Sequence, residues 1–279
     1  MKIVEFSNFS FSYDNGNYIL KDMNFYVEEG WCVLVAGKSG CGKSTLLRCI
    51  NGLIPKYYKG RYEGEVLVDG VRVIDYSMSE LSKKVGTLFQ NPDHQLFMFS
   101  VEREIAFGLE NLGLDPSDIK DRVEWALDFL NLKDLAKRAP YELSEGQKQR
   151  VALASILVMR PKIILLDEPT SLLDPKTSLQ LVNLLRNLKE KLKVTLIIAE
   201  HKLELFSPIA DRLLVVHDGS IKAYHRVKEV LKNPSISSYG VSLPPLAQLS
   251  LFIEGFKEPS LTIDEMMKEL RRFFNDRVS

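Results

Sequence analysis

Gly37-Lys-Ser-Gly-Cys-Gly-Lys-Ser-Thr45 fits the phosphate-binding pattern G-x-x-x-x-G-K-[ST], and its reading decides the fold. The run before it, Trp31-Cys-Val-Leu-Val-Ala36, is apolar and strand-like. The run after it, Lys43-Ser-Thr-Leu-Leu-Arg-Cys-Ile50, is helix-like. Strand, glycine loop and helix in that order are the setting the motif requires. Gly37, Gly40 and Gly42 let backbone amides turn inward through dihedrals closed to other residues. Those amides and the N-terminus of the following helix form an anion site. Gly37, Lys38, Ser39, Gly40, Cys41, Gly42, Lys43, Ser44 and Thr45 are therefore the candidate phosphate cradle. Lys43 is placed to reach the β- and γ-phosphates of a nucleotide, and the Ser44 hydroxyl is placed to ligate Mg²⁺.

The chain around this loop has 279 residues, enough for one large domain or two small ones. With 45% hydrophobic residues it builds an ordinary core. Lys plus Arg and Asp plus Glu both number 37, so no global field draws nucleic acid. No nucleic-acid partner is expected. The three cysteines, Cys32, Cys41 and Cys49, surround the loop and imply no disulfide framework, which fits a reducing cytoplasm. Cys32 and Cys49 read as small core residues. Cys41 lies where loop amides would lower its pKa, against the plainer reading of a tolerated loop position. The N-terminus carries an early acidic residue and strand-like alternation, unlike a signal peptide. Apolar runs such as Val151 to Met159 fall short of a bilayer span, so a soluble chain is expected.

The first 36 residues alternate as strands, with a turn at Asp14-Asn-Gly16. Glu65 to Asp69 reads as a strand and Gly70 as its turn; Val85 to Phe89 reads as a short apolar strand. Residues 100 to 160 read as helical, with Pro116-Ser117 at a helix start and Leu127, Leu130, Leu132 and Leu135 as apolar positions. Strands return at Lys162 to Asp167, Val194 to Ala199 and Leu213 to Val216. Asp174-Pro175 opens a helix, with Asp as N-cap and Pro in the first position. This alternation implies an α/β fold: a parallel sheet covered on both faces, with an inserted helical subdomain at about 91–161. After Pro244-Pro245 the chain reads as two helices broken near Gly255. The second has a capping box, Thr262-x-x-Glu265, and a stripe of Ile263, Met266, Met267, Leu270, Phe273 and Phe274.

Ile163-Ile-Leu-Leu-Asp167-Glu168 is a buried strand ending in two carboxylates. With a phosphate loop upstream, Asp167 is assigned to the metal and Glu168 to polarising the attacking water. Gln90 follows the strand at 85–89, where it would ligate Mg²⁺ or orient water. His201 closes the strand at 194–199, where it would contact the γ-phosphate, although a lone histidine is more often structural. Ser144-x-x-Gln147 is a capping box ahead of an apolar helix. The same physics lets Ser144, free amides and the helix dipole hold an anion.

Gln90, Leu143-Ser-Glu-Gly-Gln147, Leu166-Asp-Glu-Pro-Thr170, Ser171-Leu-Leu-Asp174 and His201 occur in the order seen in ABC-transporter ATPases. With the phosphate loop, the resemblance spans nearly all of residues 1–217. It implies a P-loop NTPase fold with a RecA-like core and an antiparallel β subdomain. It implies ATP and Mg²⁺ as ligands, and Lys43, Gln90, Glu168 and His201 as the hydrolytic residues. Ser44, Gln90 and Asp167 would form the metal set, and Tyr13 would stack on adenine. Ser144, Gly146 and Gln147 would contact ATP held by a second ATPase subunit, identical or paralogous, in a head-to-tail dimer. Leu88-Phe-Gln-Asn-Pro-Asp-His-Gln-Leu-Phe97 and Ala199-Glu-His201 resemble the ATPase subunits of energy-coupling-factor importers of vitamins or transition-metal ions. That implies an integral membrane coupling subunit, a substrate-binding membrane subunit, a peripheral place on the cytoplasmic face, and a C-terminal extension at 241–279 used in pairing, beyond an ATPase domain at 1–240. The stripe on the last helix reads equally as packing onto its own domain.

A soluble ABC ATPase of DNA repair, ribosome function or cluster assembly is the competing class. Gln90 and Ser144 lie only 54 positions apart, which leaves no room for a long coiled coil, and the chain carries one cassette where ribosome-acting relatives usually carry two. Three residues depart from the family pattern: Glu145 where Gly is usual, Leu172 where Ala is common, and Glu200 where a small hydroxyl residue often stands. The last suits the energy-coupling-factor branch. A carboxylate aimed at phosphate is repelled, so the Glu145 side chain is expected to point away.

Overall fold

The computed structural model describes residues 1–13, 16–253, 256 and 258–278, with side chains through 274. Two sheets organise them. An antiparallel sheet contains β1 (Lys2–Tyr13), β2 (Leu20–Glu28), β4 (Gly60–Val68) and β5 (Val71–Arg72), in the order β2-β1-β4-β5. Beside it runs a six-stranded sheet of β3 (Cys32–Ala36), β6 (Val85–Leu88), β7 (Ile163–Asp167), β8 (Thr195–Ala199), β9 (Arg212–His217) and β10 (Ser220–Arg226). Its order is β10-β9-β3-β8-β7-β6, parallel except for β10, which is antiparallel to β9. The antiparallel edge was not expected from sequence, because the polar composition of β10 carries no buried-strand signal.

The central strands bury both faces, which is why they read as continuous apolar runs. Cys32, Leu34, Ala36, Ile164 and Leu166 point into one core. Val33, Val35, Ile163 and Leu165 point into the other. The second core is closed by the antiparallel sheet and by α1 (Lys43–Ile50), with α2 (Leu53–Lys56) and α3 (Met78–Ser82) at its margin.

The first core is closed by α4 (Val101–Asn111), α5 (Pro116–Phe129), α6 (Glu145–Leu157), α7 (Pro175–Leu192) and α8 (Leu203–Phe206). Of these, α4 to α6 lie between β6 and β7 in the chain. Pro116 opens α5 as expected, but Leu130 is its C-cap, and Leu132 and Leu135 lie beyond it on a 3₁₀ turn. Leu130 and Leu132 are still buried. Asp174 caps α7 through the amides of Lys176 (2.9 Å) and Thr177 (3.0 Å).

Beyond α9 (Val227–Leu231), α10 (Pro245–Phe252) and α11 (Ile263–Val278) complete the chain. The expected break near Gly255 and the residues Asp14-Asn15 of the first turn fall outside the described residues. Thr262 Oγ1 accepts from the Glu265 amide at 3.2 Å, but Glu265 returns its carboxylate to the amide of Leu261 rather than of Thr262. The apolar stripe of α11 divides. Met266 is buried against its own chain, whereas Ile263, Met267 and Phe274 are exposed. Among the described residues no helix is long and apolar enough to cross a membrane.

Candidate nucleotide site

Parallel strands deliver their C-terminal ends to one edge of a sheet, and α/β proteins place their ligands there. The ends of β3, β6, β7 and β8 carry the phosphate loop, Gln90, Asp167-Glu168 and His201. Four stretches far apart in sequence therefore meet.

In the loop, Gly37 (φ 150°), Gly40 (φ 77°) and Gly42 (φ 110°) all take positive φ. A Cβ at Gly37 would sit 2.1 Å from the carbonyl oxygen of Val216, so that position admits no side chain. Lys38, Ser39 and Gly40 are exposed at the mouth, and Thr45 is buried beneath. Lys43 opens α1 and is only 5% exposed. Its ammonium donates to the carbonyls of Gly37 (2.9 Å) and Lys38 (3.1 Å) and lies 3.2 Å from His201 Nε2. A buried cation is thus held by loop carbonyls at the point where phosphate charge would enter.

Ser44 Oγ donates to Asp167 Oδ1 at 3.0 Å. Burial holds the Asp167 carboxyl above the usual carboxylate range; the Ser44 hydrogen bond opposes this and the neighbouring Glu168 adds to it. Glu168 sits at φ 45°, a conformation rare for a non-glycine residue. Its amide donates to the Ala199 carbonyl at 2.8 Å. Its two oxygens are reached by Gln90 Nε2 (3.0 Å) and His201 Nε2 (3.2 Å). Lys43, Ser44, Gln90, Asp167, Glu168 and His201 therefore form one connected group.

Mg²⁺ takes few protein ligands and keeps water or phosphate oxygens on its remaining positions. The juxtaposed Ser44 hydroxyl and Asp167 carboxylate, with Gln90 nearby, fit such an ion. Among the described residues no cluster of three His, Cys, Asp or Glu offers an all-protein cage.

Tyr13 ends β1 beside the loop. Its ring meets Phe11 and Tyr58 edge-on, and its hydroxyl is fixed by Arg48 Nη1 (3.2 Å) and lies 3.3 Å from Thr45 Oγ1. The thiol pKa of Cys41 is not lowered, which suits the plainer reading of a tolerated loop position. Burial pushes it up and outweighs the opposing charge of Lys43. Cys32 is pushed up to about 12 by burial, and Cys49 is raised for the same reason.

Ser144, Gly146 and Gln147 lie between β6 and β7 in the chain, at the start of α6. Ser144 and Gln147 close the capping box on each other, at 2.9 and 3.4 Å. Among the described residues no hydrogen bond joins them to the phosphate-loop group. Gly146 packs on α7, for a Cβ there would come within 2.4 Å of Thr177 Cγ2. Glu145 folds back along the helix, where Oε1 pairs with Lys148 at 2.9 Å, and Lys148 also holds Asp93 at 2.8 Å.

Sequence reading missed Arg48 and Gln149, and it noted Glu200 only as a departure from the family pattern. Arg48 anchors Tyr13. Gln149, buried on α6, donates to the carbonyl of Pro169. Glu200 is buried behind His201. Polar residues inside apolar runs are the signal that marks such positions, since they stay buried only when bonded.

Residues 20–171 match the model of a family described as ABC transporter. An ABC transporter ATP-binding protein of Pyrococcus abyssi is 42% identical over 246 residues, covering 88% of each chain. The chain belongs to the ABC transporter family. An energy-coupling factor transporter ATP-binding protein, EcfA2, of Caldanaerobacter subterraneus subsp. tengcongensis is 36% identical over 97% of each chain. Among solved structures, cbiO1 from Clostridium perfringens, part of the ABC transporter complex cbiONQ, aligns with TM-score 0.76 at 34% identity, covering 84% of this chain and 92% of that one. A dimeric ATP-binding cassette in a post-hydrolysis state, bound to ADP and Pi, aligns with TM-score 0.70 at 30% identity, covering 81% and 99%. This ABC protein is accordingly an ATPase, the ATP-binding subunit of a transporter.

Proposed function

We propose that this chain is the ATP-hydrolysing subunit of an energy-coupling-factor importer for a vitamin or transition-metal ion. The observation that carries the chemistry is the placing of Glu168 between Gln90 and His201, beside the Ser44–Asp167 pair. The loop amides and Lys43 hold the phosphates, and Tyr13 supports the base by stacking. Ser44 and Asp167, with Gln90, hold Mg²⁺, whose charge screens the transferring phosphoryl group. Glu168 accepts the hydrogen bond of the attacking water and takes up its proton as the new P–O bond forms and the bond from the γ-phosphorus to the bridging oxygen breaks, with ADP leaving on that oxygen. His201 holds the γ-phosphate against that attack.

The importer assignment is supported by the likeness to EcfA2 and to cbiO1 across most of both chains. Next to Gln90 the surface carries Phe89, Phe97 and Phe99, the last 91% exposed. Exposed aromatics mark contact surfaces, and these suit an integral membrane subunit docking beside the residue that touches Glu168. ATP binding draws residues 144–147 of a second subunit onto the nucleotide and closes a head-to-tail dimer. Hydrolysis reopens it, so the nucleotide's differential affinity for the two states supplies the work. Residues 1–240 serve as the ATPase domain, with the helical subdomain at about 91–161, and 241–279 as a pairing extension. Its exposed Ile263, Met267 and Phe274 supply the contact. The complex sits on the cytoplasmic face of the membrane.

A tagged Glu168→Gln chain, purified from solubilised membranes, tests the reading. It is expected to retain ATP, to hydrolyse it about a hundredfold or more slowly, and to bring down an integral membrane chain with a second ATPase. Ribosomes or DNA in place of a membrane chain would overturn the importer; near-normal turnover would overturn the role of Glu168.

A further inference from the structure

Glu200 is a carboxylate only 2% exposed, and the hydrolytic roles proposed above leave it without one. Its oxygens are fully engaged. Oε2 accepts from Thr170 Oγ1 (2.6 Å) and the Thr170 amide (3.3 Å). Oε1 accepts from the amides of His201 (2.7 Å) and Lys202 (3.3 Å). An ionised carboxylate offers about four acceptor positions, and all four are used. Among the described residues no cation pairs with it. The nearby ammonium of Lys202 goes instead to the Thr170 carbonyl, at 3.0 Å.

The placing of these bonds matters more than their number. Thr170 lies two residues beyond Glu168, and His201 is the next residue after Glu200. One side chain therefore ties the chain leaving β7 to the chain leaving β8, directly behind the contact between Glu168 and His201. The Glu168 amide bond to Ala199 and the Lys202 bond to Thr170 flank the same seam. Gln149 extends the tie to α6 through the carbonyl of Pro169. Charge-assisted bonds to a buried carboxylate are short and directional, and they fix backbone more tightly than a hydroxyl could.

We propose that Glu200 is a positioning residue for ATP hydrolysis: it sets His201 relative to Glu168 by clamping His201 and Thr170 on one carboxylate. This rests on the role given to His201 above. Glu200 touches no nucleotide and acts through the histidine.

Hydrolysis and nucleotide affinity are measured for Glu200→Gln, which keeps the volume but turns one acceptor into a donor, alone and in a His201→Ala background. Thr170→Val removes one donor and leaves the carboxylate, so it serves if the glutamine variant does not fold. The expected result is a fall of about tenfold in kcat for Glu200→Gln and about threefold for Thr170→Val, with KM and ATP affinity within about twofold of the native chain. Neither substitution should lower the residual rate of His201→Ala further, because residues acting through one another are not additive. The chain has four histidines, so the His201 ring resonances are assignable by difference; they should shift or broaden in both variants. If His201→Ala leaves no measurable rate, those resonances decide. Unchanged kcat, an equal further loss in the His201→Ala background, or undisturbed resonances would overturn the clamp. A native rate in His201→Ala alone would instead overturn the histidine's role, on which the clamp depends.

Discussion

Asp167 combines two opposing demands on one carboxyl group. Burial raises its pKa, which means the folded chain holds its proton more tightly than the unfolded chain does. The sign follows directly. Without ligand, this group withdraws stability as pH rises from the ordinary carboxylate value, about 3.9, through its raised folded value. Asp167→Asn keeps the acceptor for Ser44 and removes the buried charge. The nucleotide-free variant is therefore expected to melt higher than the native chain at neutral pH, with the advantage gone below about pH 3.9. Mg²⁺-dependent hydrolysis should fall at least about tenfold. Thermal melts across pH, paired with phosphate release, check both halves; a variant that melts lower at neutral pH would contradict the burial argument.

The site residues were legible one by one because each sits at a strand end or in a glycine loop, and such places have local signatures. Lys43, Ser44, Asp167, Glu168, Gln90 and His201 all meet where the strand order brings them. Glu200 and Thr170 were not legible as a pair. Their bond joins two strand exits 30 positions apart, and nothing local announces it. The same holds for the Tyr13 hydroxyl, whose partners Thr45 and Arg48 belong to α1.

Between elements, Asp69 does for the two sheets what Glu200 does for two loops. It lies in the β4–β5 turn at φ 52° and is bonded by Lys84, just before β6, and by Lys162 at 3.0 and 3.2 Å, just before β7. Those bonds depress its pKa. A depressed carboxyl contributes stability that is present above the unfolded value and lost as pH falls through the folded one. Asp69→Asn is a clean probe, since Asn accepts positive φ. It is expected to cost about 1–2 kcal/mol at neutral pH, with the difference from the native chain vanishing at strongly acid pH. Denaturant titrations at both pH values test this; an equal cost at both would mean the bond matters without its charge.

Elements were read well where periodicity or capping was strong, as in β3, β7 and α7. They were read poorly where composition and position disagree. β10 is polar because it is an edge strand, and α5 stops at Phe129 although leucines continue beyond it.

At the scale of the whole molecule, the C-terminal helices face two ways. Ala247 and Met266 are buried against the chain itself, so deleting the extension would also open the core. Point changes on the outer face separate the two roles. Ile263→Glu with Met267→Glu is expected to weaken subunit pairing at least about tenfold while leaving ATP affinity unchanged, because both residues are exposed and far in sequence from the loop. Sedimentation with a nucleotide titration reads the two quantities separately. Unchanged pairing would assign the exposed face to something other than a second ATPase.

Glu168 rests with one oxygen on Gln90 and the other on His201, both from its own chain. Those two contacts take about half of the acceptor positions a carboxylate offers, so a water that it activates takes its aim from residues at the ends of two other strands.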